Sequence, residues 1–203
     1  MVPKILLGLY MALFIALGVA PYDRAVWVAE NLPIVAIVLL LAVTWRNQRF
    51  SSLAYVLMSC LIILHTIGGH FTFERVPFGF VSDLFGFERN HFDRVAHFSV
   101  GFYGFPIAEW LRARRLVANR FLLFTYPVFA IMAIAATYEV VEWIYAALSD
   151  PAAGAAYLGS QGDPWDAQRD MLADTLGALV ATTIFFVISG TVLRDDRDPS
   201  SGA

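Results

Sequence analysis

The apolar positions of this chain fall into long runs, not into the short alternation of a half-buried strand. A transmembrane α-helix needs about 20 predominantly apolar residues. The runs that approach this length cover residues 5–20, 32–45, 53–68, 95–111, 121–148 and 171–193, and the second extends back towards Val26. This pattern predicts an all-α, polytopic membrane bundle of about six helices over residues 1–193. A polar, disordered tail is expected over residues 194–203.

The first run admits two interpretations. Lys4 precedes it and Gly18-Val19-Ala20 closes it, as in a secretory signal peptide. Pro21 would then follow the cleavage site, which disfavours cleavage, so we favour a retained helix. Retention or cleavage leaves the orientation of the later runs unchanged.

Composition agrees with a location in a membrane. Hydrophobic residues make up 59% of the 203 residues and charged residues 15%, against about 45–50% and 25% in soluble domains. The net charge of −3 argues against a nucleic-acid partner. The single cysteine, Cys60, excludes an internal disulfide and a cysteine-cluster zinc site.

Basic residues concentrate at alternate connections between the runs. One side of the predicted bundle would carry Lys4, Arg46, Arg49, Arg112, Arg114, Arg115, Arg120, Arg194 and Arg197. The positive-inside rule assigns this side, and with it both termini, to the cytoplasm. The histidines and most of the acidic residues then lie towards the outer, periplasmic face of a bacterial inner membrane.

Ionisable side chains recur near the outer ends of several runs, where burial in a bilayer is costly and by default indicates function. Residues four or three apart share a helix face. The pairs with this spacing are Asp93 with His97, Glu139 with Glu142, and Asp170 with Asp174, and His65 lies at similar depth. Carboxylates brought together repel each other unless they share protons or a cation.

A divalent metal ion would relieve this repulsion, because histidine and carboxylate side chains are its usual ligands. The candidate metal ligands are His65, His97, Glu139, Glu142, Asp170 and Asp174, and the candidate catalytic residues are Asp93, Glu139 and Glu142. Zinc, magnesium, manganese and calcium all remain open. Asp93 and Asp170 have a structural alternative as helix caps.

The Phe-rich outer loop before Asp93 also has two interpretations. It is either a lid that admits a lipid substrate or an aromatic belt at the membrane interface, and the belt is favoured. The acidic, Gly-rich loop before Asp170 lacks EF-hand spacing. Neither a His-Glu-x-x-His pair nor a Gly-x-Ser-x-Gly nucleophile occurs in the chain.

Three segments carry a resemblance: RNHFDRVAHF at residues 89–98, YEVVEW at 138–143, and GSQGD through WDAQRDM at 159–171. Together they resemble the YjdF-like family of bacterial inner-membrane proteins, a domain of unknown function, over nearly the whole chain. The resemblance implies a location but no activity.

A more distant pattern is similar to the VanZ-like membrane proteins. It covers Asp93, His97, Phe98, Glu139, Glu142, Asp170, Asp174, Gly177 and Ala178. The chain departs from it after Glu142, where Trp143 replaces the start of Leu-x-Gln. By analogy only, the resemblance implies that the same outer residues form the centre of the protein.

These observations favour a metal-dependent hydrolase or transferase acting on a lipid or lipid-linked envelope substrate. The alternatives are a non-enzymatic ion or proton carrier and a structural protein with a buried polar network. Gly177, Ala178, Ala181 and Thr182 form a small-residue face suited to close helix packing within or between chains. The oligomeric state remains open.

Overall fold

The structure is a computed structural model that describes residues 1–195, and it contains helices and no strand over that range. The helices are α1 (Val2–Gly18), α2 (Arg24–Thr44), α3 (Ser52–Phe71), α4 (Gly79–Phe85), α5 (Phe92–Val100), α6 (Gly104–Ala113), α7 (Arg120–Leu148), α8 (Pro151–Leu158) and α9 (Asp166–Asp195). The all-α prediction is confirmed. Residues 196–203 of the predicted tail lie outside the described residues.

Within residues 1–195, four helices are long and apolar enough to cross a membrane: α2, α3, α7 and the Asp166–Gly190 part of α9. Helix α1 is apolar but has only 17 residues. A membrane helical bundle is therefore confirmed. The count of about six crossings and the cytoplasmic position of the termini stay predictions.

Side-chain caps determine where several helices begin. Asp23 accepts hydrogen bonds from the backbone N–H groups of Ala25 (2.8 Å) and Val26 (3.0 Å), so α2 starts at Arg24. Asn119 caps α7 in the same way. Helix α2 thus begins close to Val26, towards which the predicted second run extends, and it includes Glu30 and Asn31, both 2% exposed.

The fourth predicted run is not one continuous helix. Helix α5 ends at Val100, a 3₁₀ turn covers Gly101–Tyr103, and α6 continues from Gly104. At this break the backbones of α5 and α9 touch. A Cβ added at Gly101 would lie 2.2 Å from Ala178 N, and one at Gly177 would lie 2.0 Å from Phe98 O. Only glycine fits at either position.

The small-residue face of α9 packs inside the chain. Ala178, Ala181 and Thr182 are each 0% exposed. Ala181 belongs to the main apolar core together with Phe105 of α6 and Met58 of α3. This packing places the first turns of α5 and α9 side by side.

The two ends of the bundle differ in charge. Tyr22 N–H donates to His70 O (2.9 Å), which joins the α1–α2 connection to the end of α3. At the opposite end, Arg114 Nη2 donates to Asn47 O (3.0 Å), which joins the end of α6 to the α2–α3 connection. We call the first end, where α5 and α9 begin, the acidic end, and the other the basic end.

Candidate functional site

His97 of α5 lies between carboxylates of its own helix and of α9. Its Nε2 atom is 3.6 Å from Asp93 Oδ1 and 3.8 Å from Asp170 Oδ1. Its Nδ1 atom is 3.3 Å from both oxygens of Asp174. A carboxylate accepts hydrogen bonds, so Nδ1 can donate to Asp174, while Nε2 faces the carboxylate oxygens of Asp93 and Asp170.

The helices assemble this arrangement through their spacing and close contact. Asp93 and His97 share a face of α5, and Asp170 and Asp174 share a face of α9. The glycine contact between Gly101 and Gly177 lies about one turn further along both helices and holds them together. The Asp93–His97 pair is thereby brought against the Asp170–Asp174 pair.

Asp93, His97 and Asp170 have the geometry of a metal-ligand set. Each offers one ligand atom, and these atoms all lie within 4.8 Å of one another. Atoms that bind one ion at about 2.0–2.6 Å are at most about 4–5 Å apart. The set joins one imidazole nitrogen to carboxylate oxygens, which suits zinc, manganese or magnesium better than a soft metal.

Asp174 lies on the far side of the ring and is 1% exposed. Histidines that bind metals usually donate their second ring N–H to a carboxylate, which holds the ring in place. Asp174 therefore fits a supporting residue better than the direct ligand that the sequence predicts. Asp93, predicted as catalytic, lies among the ligand atoms instead.

Arginines that the sequence analysis assigned no role neutralise part of this acidic cluster. Arg94 contacts Asp166 and Asp170 at hydrogen-bonding range and reaches Asp93 Oδ2 at 3.8 Å. Arg89 Nη1 donates to Asp166 Oδ1 at 2.8 Å. Arg89 lies between α4 and α5, Arg94 lies in the first turn of α5, and both link this part of the chain to the start of α9.

The connection between α8 and α9 is tied to Arg89 and Arg169 through Asp163. Arg169 Nη1 donates to Asp163 Oδ2 at 2.7 Å, and Arg89 Nη1 does so at 3.3 Å. The backbone N–H of Trp165 donates to Asp163 Oδ1, and this bond, with the nearby arginines, holds the pKa of Asp163 below its ordinary value. Asp163 is thus an ionised anchor of the loop.

A second buried pair lies beside the first cluster, and only its histidine, His65, was predicted as a site residue. His65 Nε2 is 3.0 Å from Glu30 Oε2, and Tyr138 OH donates to the same oxygen at 3.2 Å. Glu30 is the one acidic residue of α2, a long and largely apolar helix, and this is the signal that could have identified it. His65 pairs with Glu30 and is not one of the ligand atoms around His97.

A small cavity of about 10 Å³, roughly the space of one water molecule, joins the two groups. It is lined by Glu30, His65, Phe73, Asp93, His97, Glu142, Tyr157, Leu158 and Gly159. Glu142 therefore faces both groups across a shared space but lies outside the ligand set.

Glu139, the remaining sequence candidate, is half-buried on α7. Its Oε1 atom is buried and has no hydrogen-bond partner among the described residues. The charges of His97, Asp170 and Asp93 act on it. A carboxylate oxygen left unpaired beside a candidate ion site is available to bind a ligand or to accept a proton.

An apolar helical bundle with a buried histidine–carboxylate cluster at one end is an integral membrane protein with a candidate metal centre. A family model described as "Predicted membrane protein (DUF2238)" matches residues 2–191. The chain belongs to this family.

A relative in Escherichia coli (strain K12), the inner membrane protein YjdF, is 34% identical over 172 residues, which are 84% of this chain and 81% of the relative. No solved structure matches the chain. The YjdF-like resemblance and the inner-membrane location are confirmed, whereas the VanZ-like resemblance stays a prediction.

Proposed function

We propose that this protein is a divalent-metal-dependent membrane hydrolase or transferase that acts at the outer face on a lipid or lipid-linked envelope substrate. Asp93, His97 and Asp170 would hold the ion, and Asp174 would orient His97. The ion would lower the pKa of a bound water molecule and polarise the group under attack.

The position of His97 is the observation that supports this proposal. Its Nε2 atom faces Asp93 and Asp170 while its Nδ1 atom bonds to Asp174. A histidine that only stabilised helix packing would need one such partner. His97 thus has carboxylates beside both ring nitrogens, and the carboxylate of Asp174 is almost completely buried. This matches the carboxylate–histidine–metal arrangement.

Glu139 and Glu142 are the candidates for proton transfer. Glu139 has an unpaired buried oxygen near the ion site, and Glu142 lines the small cavity. A general base must reach the proton that it removes directly or through one water molecule. The Glu30–His65 pair, which lines the same cavity, would accept that proton next.

The surroundings of the site favour a lipid substrate. Helix α4 exposes Phe80 (68%), Leu84 (74%) and Phe85 (64%), and Trp165 of the second loop is 61% exposed. Exposed apolar side chains beside a membrane bundle fit the interfacial region of the bilayer. A substrate held in the outer leaflet would therefore meet this surface before the cluster.

Metal content tests the ion site. We would purify the protein in detergent without chelator or affinity metal and determine bound elements by mass spectrometry. The wild type should carry about one divalent ion per chain, and Asp93→Asn and His97→Gln should lose it. Asp83→Asn, which removes the same charge from exposed α4, should keep it. Equal metal content in Asp93→Asn and Asp83→Asn would contradict the site.

Activity requires a second experiment because a carrier or a structural network could also bind an ion. Proteoliposomes made with a bacterial membrane lipid extract would be incubated with the identified metal and examined by lipid mass spectrometry. The wild type should convert at least one lipid species, and Glu139→Gln and a chelator-treated sample should not. No converted species in the wild type would rule out an enzyme acting on these lipids.

A further inference from the structure

A separate apolar cavity opens at the basic end of the bundle, far from the histidine–carboxylate cluster. It has a volume of about 310 Å³ and lies between α1, α2 and α3. Its walls include Leu6, Leu7 and Tyr10 of α1, Val38 and Leu41 of α2, and Met58 of α3. This volume is in the range of small-molecule sites, which begin at about 300 Å³.

The cavity runs along the helices and not across them. On α1 its lining extends from Lys4 to Tyr10, which corresponds to about 9 Å at 1.5 Å per residue. This depth is roughly a third of the ~30 Å apolar thickness of a bilayer. An apolar slot of that depth between the helices fits the first part of one acyl chain.

The mouth of the cavity is positively charged. Lys4 belongs to its lining, as does Trp45 directly after α2, and the guanidinium of Arg49 lies 5.6 Å from the Trp45 ring. Among the side chains that the structure describes, which end at Gly190, no acidic group lies within ion-pair distance of Lys4 or Arg49. The nearby carboxylate of Glu109 accepts instead from the N–H and hydroxyl of Ser51.

We propose that this cavity is a binding site for an anionic phospholipid. One acyl chain occupies the apolar slot, and the headgroup phosphate pairs with Lys4 and Arg49. Basic residues beside a pocket between transmembrane helices recognise anionic headgroups in this way. A zwitterionic headgroup has no net charge, so these cations attract it less. The site is independent of the function proposed for the acidic end.

Native mass spectrometry of the full chain tests the proposal. The detergent-solubilised protein would be mixed with phosphatidylglycerol or with phosphatidylcholine of identical acyl chains. We expect the wild type to retain phosphatidylglycerol at least threefold more than phosphatidylcholine. Lys4→Gln, a change at an exposed position, should reduce this ratio towards one. Equal retention of both lipids by the wild type would overturn the proposal.

A second pair of variants tests the slot itself. Ala42 lines the cavity on α2, whereas its neighbour Val43 is 78% exposed and lies outside the lining. Ala42→Phe should fill the slot and lower retention of both lipids at least threefold, and Val43→Phe should not. Similar retention by both variants would show that the lipid binds elsewhere. The thermal unfolding midpoint of each variant checks its folding, and Lys4→Gln decides the question if Ala42→Phe does not fold.

Discussion

The strongest prediction concerns the contact between α5 and α9, because the candidate site lies between these two helices. The perturbation is Gly177→Ala. The new Cβ would lie 2.0 Å from Phe98 O, 3.0 Å from Phe98 C and 3.2 Å from Gly101 Cα, where ordinary contact begins at 3.4 Å. All of these atoms are backbone, so no side-chain rotation relieves the clash, and the helices must separate by more than about 1 Å.

The size of the effect follows from two opposing contributions. Overpacking a close contact destabilises by about 1–3 kcal/mol, and a backbone clash belongs at the upper end of that range. Replacing a helical glycine by alanine returns about 0.5–1 kcal/mol. We therefore expect Gly177→Ala to lower the free energy of unfolding by about 2 kcal/mol, which is about a 30-fold change in the unfolding equilibrium.

The assay is reversible unfolding of the purified protein in mixed detergent micelles with increasing dodecyl sulfate, followed by circular dichroism. Gly190→Ala is the matched control, because it lies on the same helix and a Cβ there meets nothing within 4 Å. It should be neutral or slightly stabilising. If Gly177→Ala were as stable as Gly190→Ala, the close packing that brings His97 to Asp174 would be refuted.

Other predictions concern the supporting residues. Asp174→Asn should keep the fold but weaken metal binding by about 10–100-fold in a competition titration; unchanged affinity would remove Asp174 from its role. Ser51→Ala removes the cap of α3 and should cost about 1 kcal/mol by detergent unfolding. A spin label at Leu84, in a background with Cys60 replaced, should be relaxed more by oxygen than by a water-soluble nickel reagent, because α4 is expected at the membrane. Stronger relaxation by the nickel reagent would place α4 in water. The pKa of Asp163 is lowered in the folded protein. Its stabilising contribution is therefore complete above its unfolded pKa of about 3.9 and is lost as pH falls further. The difference in thermal midpoint between wild type and Asp163→Asn should disappear below that pH.

The local part of the site could be predicted from the sequence because helical spacing is a local property. Asp93 with His97 and Asp170 with Asp174 share faces in any α-helix, and their depth in apolar runs indicated their importance. Sequence spacing does not determine which side of the ring meets which carboxylate. The separate roles of Asp170 and Asp174 depend on how α5 and α9 pack.

The missed residues depend on tertiary contacts or on a helix boundary. Glu30 lies in the part of α2 before residue 32, and only the packing of α2 against α3 and α7 brings its carboxylate to His65 and Tyr138. Arg94 reaches Asp166 and Asp170 only because α5 packs on α9, which the sequence does not specify. His65 was expected in the metal set, but the position of α2 gives it Glu30 as its partner.

The most direct test of the central claim is the location of the ion. Diffraction data from crystals grown with the metal that copurifies, collected on both sides of its absorption edge, would show the ion as an anomalous difference peak. We expect that peak within about 2.0–2.6 Å of Asp93, His97 and Asp170. A peak at the Glu30–His65 pair, or no peak in metal-soaked crystals, would contradict the account.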